Sequence, residues 1–435
     1  MTAKTEAKAT QKRSRRDFLK ASSAAVAGGL ALSRSAHAAG DDVIKVGLVG
    51  CGGRGSGAAD NAMNADDGAR LVAMADIFED KVKGSRDRLK QMKPNQVDVD
   101  DDHCFVGFDG YRKVIDSGID VLLIACASRF HPPYLEAAVE AGKHVFVEKP
   151  HAIDPPGIRT VIAACDEARR KKLSVVSGLC WRYHHGVRET MKRLHDGAIG
   201  DVVTIQETYM RSPYRLVERE PGESEIEYQF RNWYHFNWLS GDDIAQSLIH
   251  SMDKGAWLMH DEPPVKAYGI GGRSSSVGTV FGDVFDHHGI VYEYANGVRM
   301  YAFGRAQNNC YNEVSDLYFG TKGRADVIKH RIEGETEWRY EGPKCNMYDV
   351  EHEELFAAIR SGNPINNGTY MAGSTMLGIL GQIVCYTGKE VTWDEAIQAD
   401  YRWEPVDCDF TTDPPVKPDE NGIYPVAMPG VTKLL

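Results

Sequence analysis

A short apolar run, Val43-Ile44-Lys45-Val46-Gly47-Leu48-Val49, empties directly into Gly50-Cys51-Gly52-Gly53-Arg54-Gly55, and this stretch constrains the chain more than any other. A run of strand length closed by glycines predicts a buried strand turning sharply into a helix. Gly50, Gly52 and Gly55 stand at the G-x-G-x-x-G spacing, which lets a backbone turn, approach a pyrophosphate and pack a helix against its strand. Phosphates would then meet helix N-terminal amides. With 43 glycines in 435 residues such a match arises easily by chance, so the flanking sequence has to support it. A second apolar run, 70–75, ends in Asp76, about 20 residues past the last glycine, where a ribose-binding carboxylate is expected. A 2′-phosphate beside that carboxylate would meet a like charge worth about 4 kcal/mol at ~4 Å and an effective dielectric near 20. The expected cofactor is therefore NAD, with NADP disfavoured.

From 43 to about 178, strand-length apolar runs (43–49, 70–75, 121–126, 144–147 and 173–177) alternate with helical patterns, which predicts a doubly wound parallel sheet. Pro132-Pro133 marks a helix start, and Gly142 closes the pattern over 134–141. The charged segment 81–102 reads as an exposed helix running into a solvated loop. Beyond Gly178 the periodicity becomes β-like at 202–209, 265–270, 289–294 and 298–303, with Asn296-Gly297 as a hairpin turn. Two helical patterns, 348–360 and 370–386, end at Gly362 and Gly388. The expected fold is α/β: a Rossmann-type doubly wound parallel sheet at 42–178, then a second α+β domain at 179–400 with a large, mostly antiparallel open sheet. An irregular, acidic, Pro-rich tail occupies 401–435.

The first 38 residues carry eight Lys/Arg and two Asp/Glu, a net of +6 in a chain of net charge −11, which leaves −17 on the remainder. An acidic body repels phosphate backbones and argues against nucleic acid and anionic membrane surfaces as partners. Ser14-Arg15-Arg16-Asp17-Phe18-Leu19-Lys20, the weakly apolar run 21–32 and Ala36-His37-Ala38 have the layout of a twin-arginine export signal. The mature protein is expected in the periplasm, exported folded. Nicotinamide cofactors are scarce there, so the dinucleotide would be loaded before export and retained. Nine cysteines without C-x-x-C pairs are no disulfide framework, and His184-His185 and His287-His288 lack ligand spacing, so no metal is expected.

At Glu148-Lys149-Pro150, preceded by Gly142-Lys143-His144-Val145-Phe146-Val147, the sequence resembles the glucose-fructose oxidoreductase and inositol dehydrogenase (Gfo/Idh/MocA) family. Gly178 with Trp181-Arg182-Tyr183, the segment from Gly197 to Val202, Gly320-Thr321-Lys322-Gly323 and Glu351-His352 support the resemblance. It implies a dinucleotide domain followed by an open sheet, one face of which binds substrate while the other often mediates homo-oligomers. Lys149 would polarise an alcohol oxygen, and Arg54, Gly53, His131 and Glu148 would join the three glycines and Asp76 around the cofactor. The stretch from Gly241 to Asp253 resembles the family's catalytic helix, in which Gln246 and His250 are spaced i, i+4 and His250 matches the catalytic histidine. Many relatives carry an acid where Gln246 stands, and glutamine cannot take a proton. Either His250 is the base alone, or the chemistry is altered. Arg182, Tyr183, Arg211, Trp233, His235, Gln246 and Asp253 are the expected substrate contacts, because planar donors and aromatic faces suit sugar hydroxyls and rings. The resemblance implies oxidoreduction of a hydroxyl on a sugar, sugar derivative or polyol with retained NAD. A redox-type glycosidase and a catalytically silent carbohydrate-binding protein stay open beside it.

Overall fold

The computed structural model describes residues 43–405 and 407–435. The expected export signal at 1–38 lies outside them. From Ile44 to Leu435 the chain is one compact unit. Its first half contains a six-stranded, all-parallel sheet of β1 (Ile44–Val49), β2 (Ala69–Asp76), β3 (Cys104–Val106), β4 (Val121–Ile124), β5 (His144–Val147) and β6 (Val175–Ser177). The spatial order β3-β2-β1-β4-β5-β6 is the doubly wound arrangement, reversing direction next to β1 where the glycine turn leaves the sheet. β1 and β4 are buried almost throughout, as a parallel strand covered on both faces must be.

The second half supplies a nine-stranded sheet: β7 (Val202–Arg211), β8 (Lys266–Gly272), β9 (His287–Glu293), β10 (Arg299–Ala306), β11 (Glu313–Gly320), β12 (Gly323–Asp326), β13 (Arg331–Gly334), β14 (Trp338–Arg339) and β15 (Val391–Thr392). Its order is β14-β13-β12-β11-β7-β10-β9-β8-β15, antiparallel except where β10 runs parallel to β7. Asn296-Gly297 turns β9 into β10, with Gly297 at φ +87°. The helices Ile249–Leu258 and Gly368–Thr387 cover the inner face, where Ile205, Met300, Ala302 and Ile290 join the core.

The boundary expected at 178/179 marks the end of the parallel sheet but not of its core. One apolar cluster runs from Val49 and Ile124 through Ile244 and Met252 to Leu380. The helix Met347–Ser361 packs Val350, Leu355, Phe356 and Ile359 among Leu48, Ala58 and Met63 of the first domain. Asn61 Nδ2 donates to Asp349 at 2.7 Å across this contact, and Arg360 pairs with Asp66. Residues 401–435 contain no helix or strand among the described residues.

Arg182, Tyr183 and Asp253, expected at the substrate, are buried framework instead. The Arg182 Nη2 donates to Asp253 Oδ1 at 2.8 Å, its Nη1 to Asp261 at 3.1 Å, and its guanidinium lies 4.2 Å over the Tyr370 ring. Ser374 Oγ also donates to Asp253, and the Tyr183 hydroxyl donates to Asn367 at 2.8 Å. Arg182 and Asp253 spend their polar atoms on protein partners, so the pair locks the catalytic-side helix to its neighbours. Replacing Arg182 with Ala would strand a buried carboxylate, which typically costs about 3–5 kcal/mol. The expected outcome is a matching fall in stability by denaturant unfolding; an unchanged midpoint would show that Asp253 is not held by this pair.

Candidate active site at the dinucleotide cleft

The glycine turn has the stereochemistry its spacing predicted. Gly50 sits at φ +91°, and a Cβ there would lie 2.4 Å from the Cys126 amide nitrogen. A Cβ on Gly55 would meet the Gly50 carbonyl oxygen at 1.8 Å, so only glycine lets the helix Gly53–Ala65 close on its strand. Gly52 and Gly53 face open space, and no side chain caps the helix. Uncapped amides beside an unfilled hollow are what a pyrophosphate requires.

Asp76 closes β2 at the edge of the same cleft. Its Oδ2 accepts from the Cys51 amide at 2.7 Å and its Oδ1 from the Phe78 amide at 3.0 Å. Burial raises its pKa, against the lowering influence of those amides and of Lys81. The cleft is lined by Gly50, Gly52, Asp76, Phe78, Lys81, Cys126, Phe130, Arg231 and Trp233, among others. Lys81 and Arg231 narrow the margin against a 2′-phosphate that Asp76 alone would set. The sequence places Lys81 on a helix but does not show that it lines the cleft, and Arg231 arrives from the second half of the chain.

At the other end, β5 delivers Glu148-Lys149-Pro150, with the Lys149–Pro150 peptide cis. Glu148 is buried and forms an ion pair with Arg54 Nε at 2.7 Å, while the Lys149 amide donates to its other oxygen at 3.1 Å. Lys149 Nζ is therefore not paired with Glu148; it donates to the backbone carbonyl of Gln246 at 2.6 Å. That carbonyl is presented by a π-helical turn, Ile244–Leu248, which leads into the helix Ile249–Leu258. Single π turns inside helices recur at functional positions because they redirect backbone groups.

The turn also changes the role expected for Gln246. Its amide nitrogen donates to Ser128 Oγ at 2.9 Å and to the Ser240 carbonyl, and the residue is 1% exposed, so the side chain ties the two halves of the chain together. Only its carbonyl reaches the site. His250, four residues on, keeps Nδ1 without a hydrogen-bond partner. Burial, with the charges of Lys149 and Lys254, holds its pKa well below the ordinary histidine value. Lys254 is itself buried against Asp316 at 3.0 Å and donates to the His250 carbonyl, which anchors the helix from below.

His131, expected at the cofactor, is a framework residue. It is 1% exposed, with Nδ1 2.7 Å from the Pro150 carbonyl and Nε2 3.0 Å from that of Cys126, and burial lowers its pKa to about 4. It braces the segment carrying Lys149. Trp233, expected at the substrate, lines the dinucleotide cleft instead. Its indole stacks on Tyr234 at 3.8 Å, Tyr234 on Tyr214 at 4.0 Å, and the Arg211 guanidinium lies 3.7 Å over Tyr214. Arg211 pairs with Asp243 and donates to Ser247 Oγ at 2.9 Å, and the Tyr214 hydroxyl donates to the Gln246 carbonyl at 3.2 Å. This ladder runs from the dinucleotide cleft to the turn that holds Lys149. His235 lines a small adjoining pocket with Arg211, Tyr214 and Asp243, and burial lowers its pKa to about 4. Among the described residues no cluster of three or more His, Cys, Asp or Glu is placed to hold a metal, and no helix is long and apolar enough to cross a membrane.

A doubly wound sheet, a glycine turn at its switch point and a carboxylate closing β2 define a dinucleotide-binding fold. Residues 44–177 match the model of the Gfo/Idh/MocA oxidoreductase family, described as an NAD-binding Rossmann fold, and that part of the chain is an NAD-binding domain. An inositol 2-dehydrogenase/D-chiro-inositol 3-dehydrogenase of Halalkalibacterium halodurans is 29% identical over 50% of this chain and 53% of its own. The alignment thus spans about half the length of that relative. The fold extends further: an aldose-aldose oxidoreductase from Caulobacter crescentus, solved with glycerol, superposes with a TM-score of 0.62 at 19% identity, covering 80% of this chain and 99% of its own. A protein of gentamicin A biosynthesis solved with NAD superposes equally, at 0.62 and 16% identity over 82% of this chain and 98% of its own.

The lowered pKa of His250 fixes the sign of a pH effect. A neutral imidazole is the form that accepts a proton, and a depressed pKa keeps it neutral as the medium is acidified. The acid limb of kcat/KM is expected below pH 6.5, the ordinary histidine value. His250→Gln should remove that limb along with most of the activity. An acid limb that survives the substitution would assign it to another group.

Proposed function

We propose that the chain is an NAD-dependent oxidoreductase that interconverts a hydroxyl and a carbonyl on a sugar, sugar derivative or polyol. The observation that carries this reading is Lys149 Nζ, held at 2.6 Å by the Gln246 carbonyl on the turn that leads to His250, whose pKa burial and the Lys149 charge lower. Bound NAD supplies the hydride acceptor. Lys149 donates a hydrogen bond to the substrate oxygen, which stabilises negative charge as the C–H bond breaks. His250 takes the hydroxyl proton, so the alcohol loses a hydride and a proton and leaves as a carbonyl compound. Because the Gln246 amide is committed to Ser128 and Ser240, the histidine acts without an acidic neighbour at that position. The relative's inositol dehydrogenase name and the glycerol complex of the structural neighbour support a polyhydroxylated substrate.

Export by the twin-arginine route, suggested by Arg15-Arg16, belongs to the same reading, as does a cofactor kept between turnovers. A homo-oligomer fits the outer face of the nine-stranded sheet, where Ile270 is 77% exposed and Phe303 38%, flanking Gly289 in register.

Purified protein should release NAD on denaturation, and a panel of polyols and aldoses should contain one that makes NADH absorbance grow. Lys149→Ala should lower that hydride transfer by about 10²- to 10⁴-fold while dinucleotide content stays unchanged. Near-normal turnover in this variant would rule out the lysine as the group acting on the substrate oxygen.

A further inference from the structure

The Asp76 end of the cleft is covered by parts of the chain that come from far downstream. The helix Glu225–Arg231, opened by a Ser224–Glu227 capping box, brings Phe230 and Arg231 to the rim of the parallel sheet. Arg231 lies 4.0 Å over the Phe78 ring, two residues past Asp76, and reaches Asp80 at 3.5 Å. Phe230 meets Phe108 at 5.2 Å and Phe130 at 6.1 Å between ring centroids. Outside them lies Phe410 of the C-terminal tail, 5.5 Å from Phe78, 5.1 Å from Phe108 and 6.2 Å from Phe230.

The tail is fastened on both sides of Phe410. Before it, the Trp403 carbonyl accepts from Arg129 at 2.8 Å. After it, the Val416 carbonyl accepts from Gln229 Nε2 at 2.7 Å, and the Tyr424 hydroxyl donates to Glu225 at 2.5 Å. Gln229 and Glu225 belong to the helix that carries Phe230 and Arg231, so tail and helix form one unit. Its own apolar cluster, with Ile226, Trp238 and Tyr424, is separate from the two larger cores.

We propose that this unit is a cofactor-retaining roof: Phe230, Arg231 and Trp233 hold the adenosine half of the dinucleotide, and Phe410 keeps them closed over it. The roof rests on the reading of the cleft as an NAD site. An adenine placed beyond Asp76 enters a rim built from Phe78, Phe130, Phe230 and Arg231, where aromatic faces and a guanidinium suit a purine ring. Leaving requires the Phe410 contacts with Phe78 and Phe108 to break, a cost that appears in the dissociation rate. The lysine and histidine lie at the opposite end, so the roof touches no reacting atom.

The test uses the full chain loaded with NADH, chased with excess NAD, with release followed as the loss of protein-sensitised NADH fluorescence. Phe410→Ala should release NADH about tenfold faster, which corresponds to about 1.4 kcal/mol, in the range of an aromatic contact. Phe410→Leu, which retains apolar bulk, should fall between the two, and single-turnover hydride transfer should match the unaltered protein. Folding of both variants is checked by thermal unfolding, and if Phe410→Ala fails to fold, the leucine variant alone decides by its rate. Binding of NADH by the unaltered protein, with the same release rate in either folded variant, overturns the roof and leaves the NAD reading intact. Failure of the unaltered protein to bind NADH or NAD overturns that reading and the roof with it.

Discussion

Three distant parts of the chain meet at the carboxylate of Glu148. Arg54 from the glycine turn pairs its charge with it at 2.7 Å, the Lys149 amide closes on its other oxygen, and a Cβ on Gly178 would stand 2.8 Å from that oxygen. The returning helix Met347–Ser361 completes the enclosure: Tyr348 takes the Arg54 guanidinium on its ring at 4.8 Å, and Glu351 is fully buried nearby. Neither Glu351 oxygen has a hydrogen-bond partner, and burial with the Glu148 charge drives its pKa well upward. Arg54 thus stands between two buried carboxyls and makes its close ion pair with Glu148. The position of Lys149 and the position of the phosphate-binding turn are thereby set by one ion pair, which is why the first domain cannot be finished without residues some 170 positions past its last strand.

That return is also where the sequence was least legible. Parallel strands buried on both faces appear as uninterrupted apolar runs, so β1, β2, β4, β5 and β6 could be read within a few residues. β3 is only three residues long and half-exposed, and it carries no such signature. β11 to β14 alternate with charged residues and were missed for a similar reason. The pattern over 348–360 gave a helix with its glycine stop correctly, but periodicity says that a face is apolar and not which core receives it.

Site residues divide along the same line. The glycines at 50 and 55 are legible because local backbone geometry demands glycine there. His131, Arg182 and Asp253 are not, since a histidine between two carbonyls and an arginine clamped by two carboxylates have the composition of a binding site without its accessibility. Gln246 was the subtler case. An i, i+4 pair with His250 presumes an α-helical register, and the π turn at Ile244–Leu248 breaks it, so the backbone carbonyl and not the amide side chain faces the lysine. Aromatic roofing was invisible for another reason: Phe78, Phe108, Phe230 and Phe410 are dispersed over more than 300 residues, and nothing local links them.

Separating retention from chemistry has a kinetic consequence. Contacts made to the adenosine half are the same before and after hydride transfer, so they bind ground state and transition state equally and do not raise the rate of the chemical step. Their effect is confined to residence time. A dinucleotide that outlasts a turnover cannot be regenerated by exchange, so the reduced form has to be reoxidised in place by a second carbonyl compound. Under the proposed function both half-reactions would use the same Lys149 and His250, with the proton moving from substrate to His250 in one direction and back in the other. A base that stays neutral well below the ordinary histidine range suits the oxidising half, and its protonated form, produced by that half, is the acid that the reducing half requires. The ladder from Trp233 to Arg211 follows the path between the two functions, one end in the dinucleotide cleft and the other on the turn that holds the lysine.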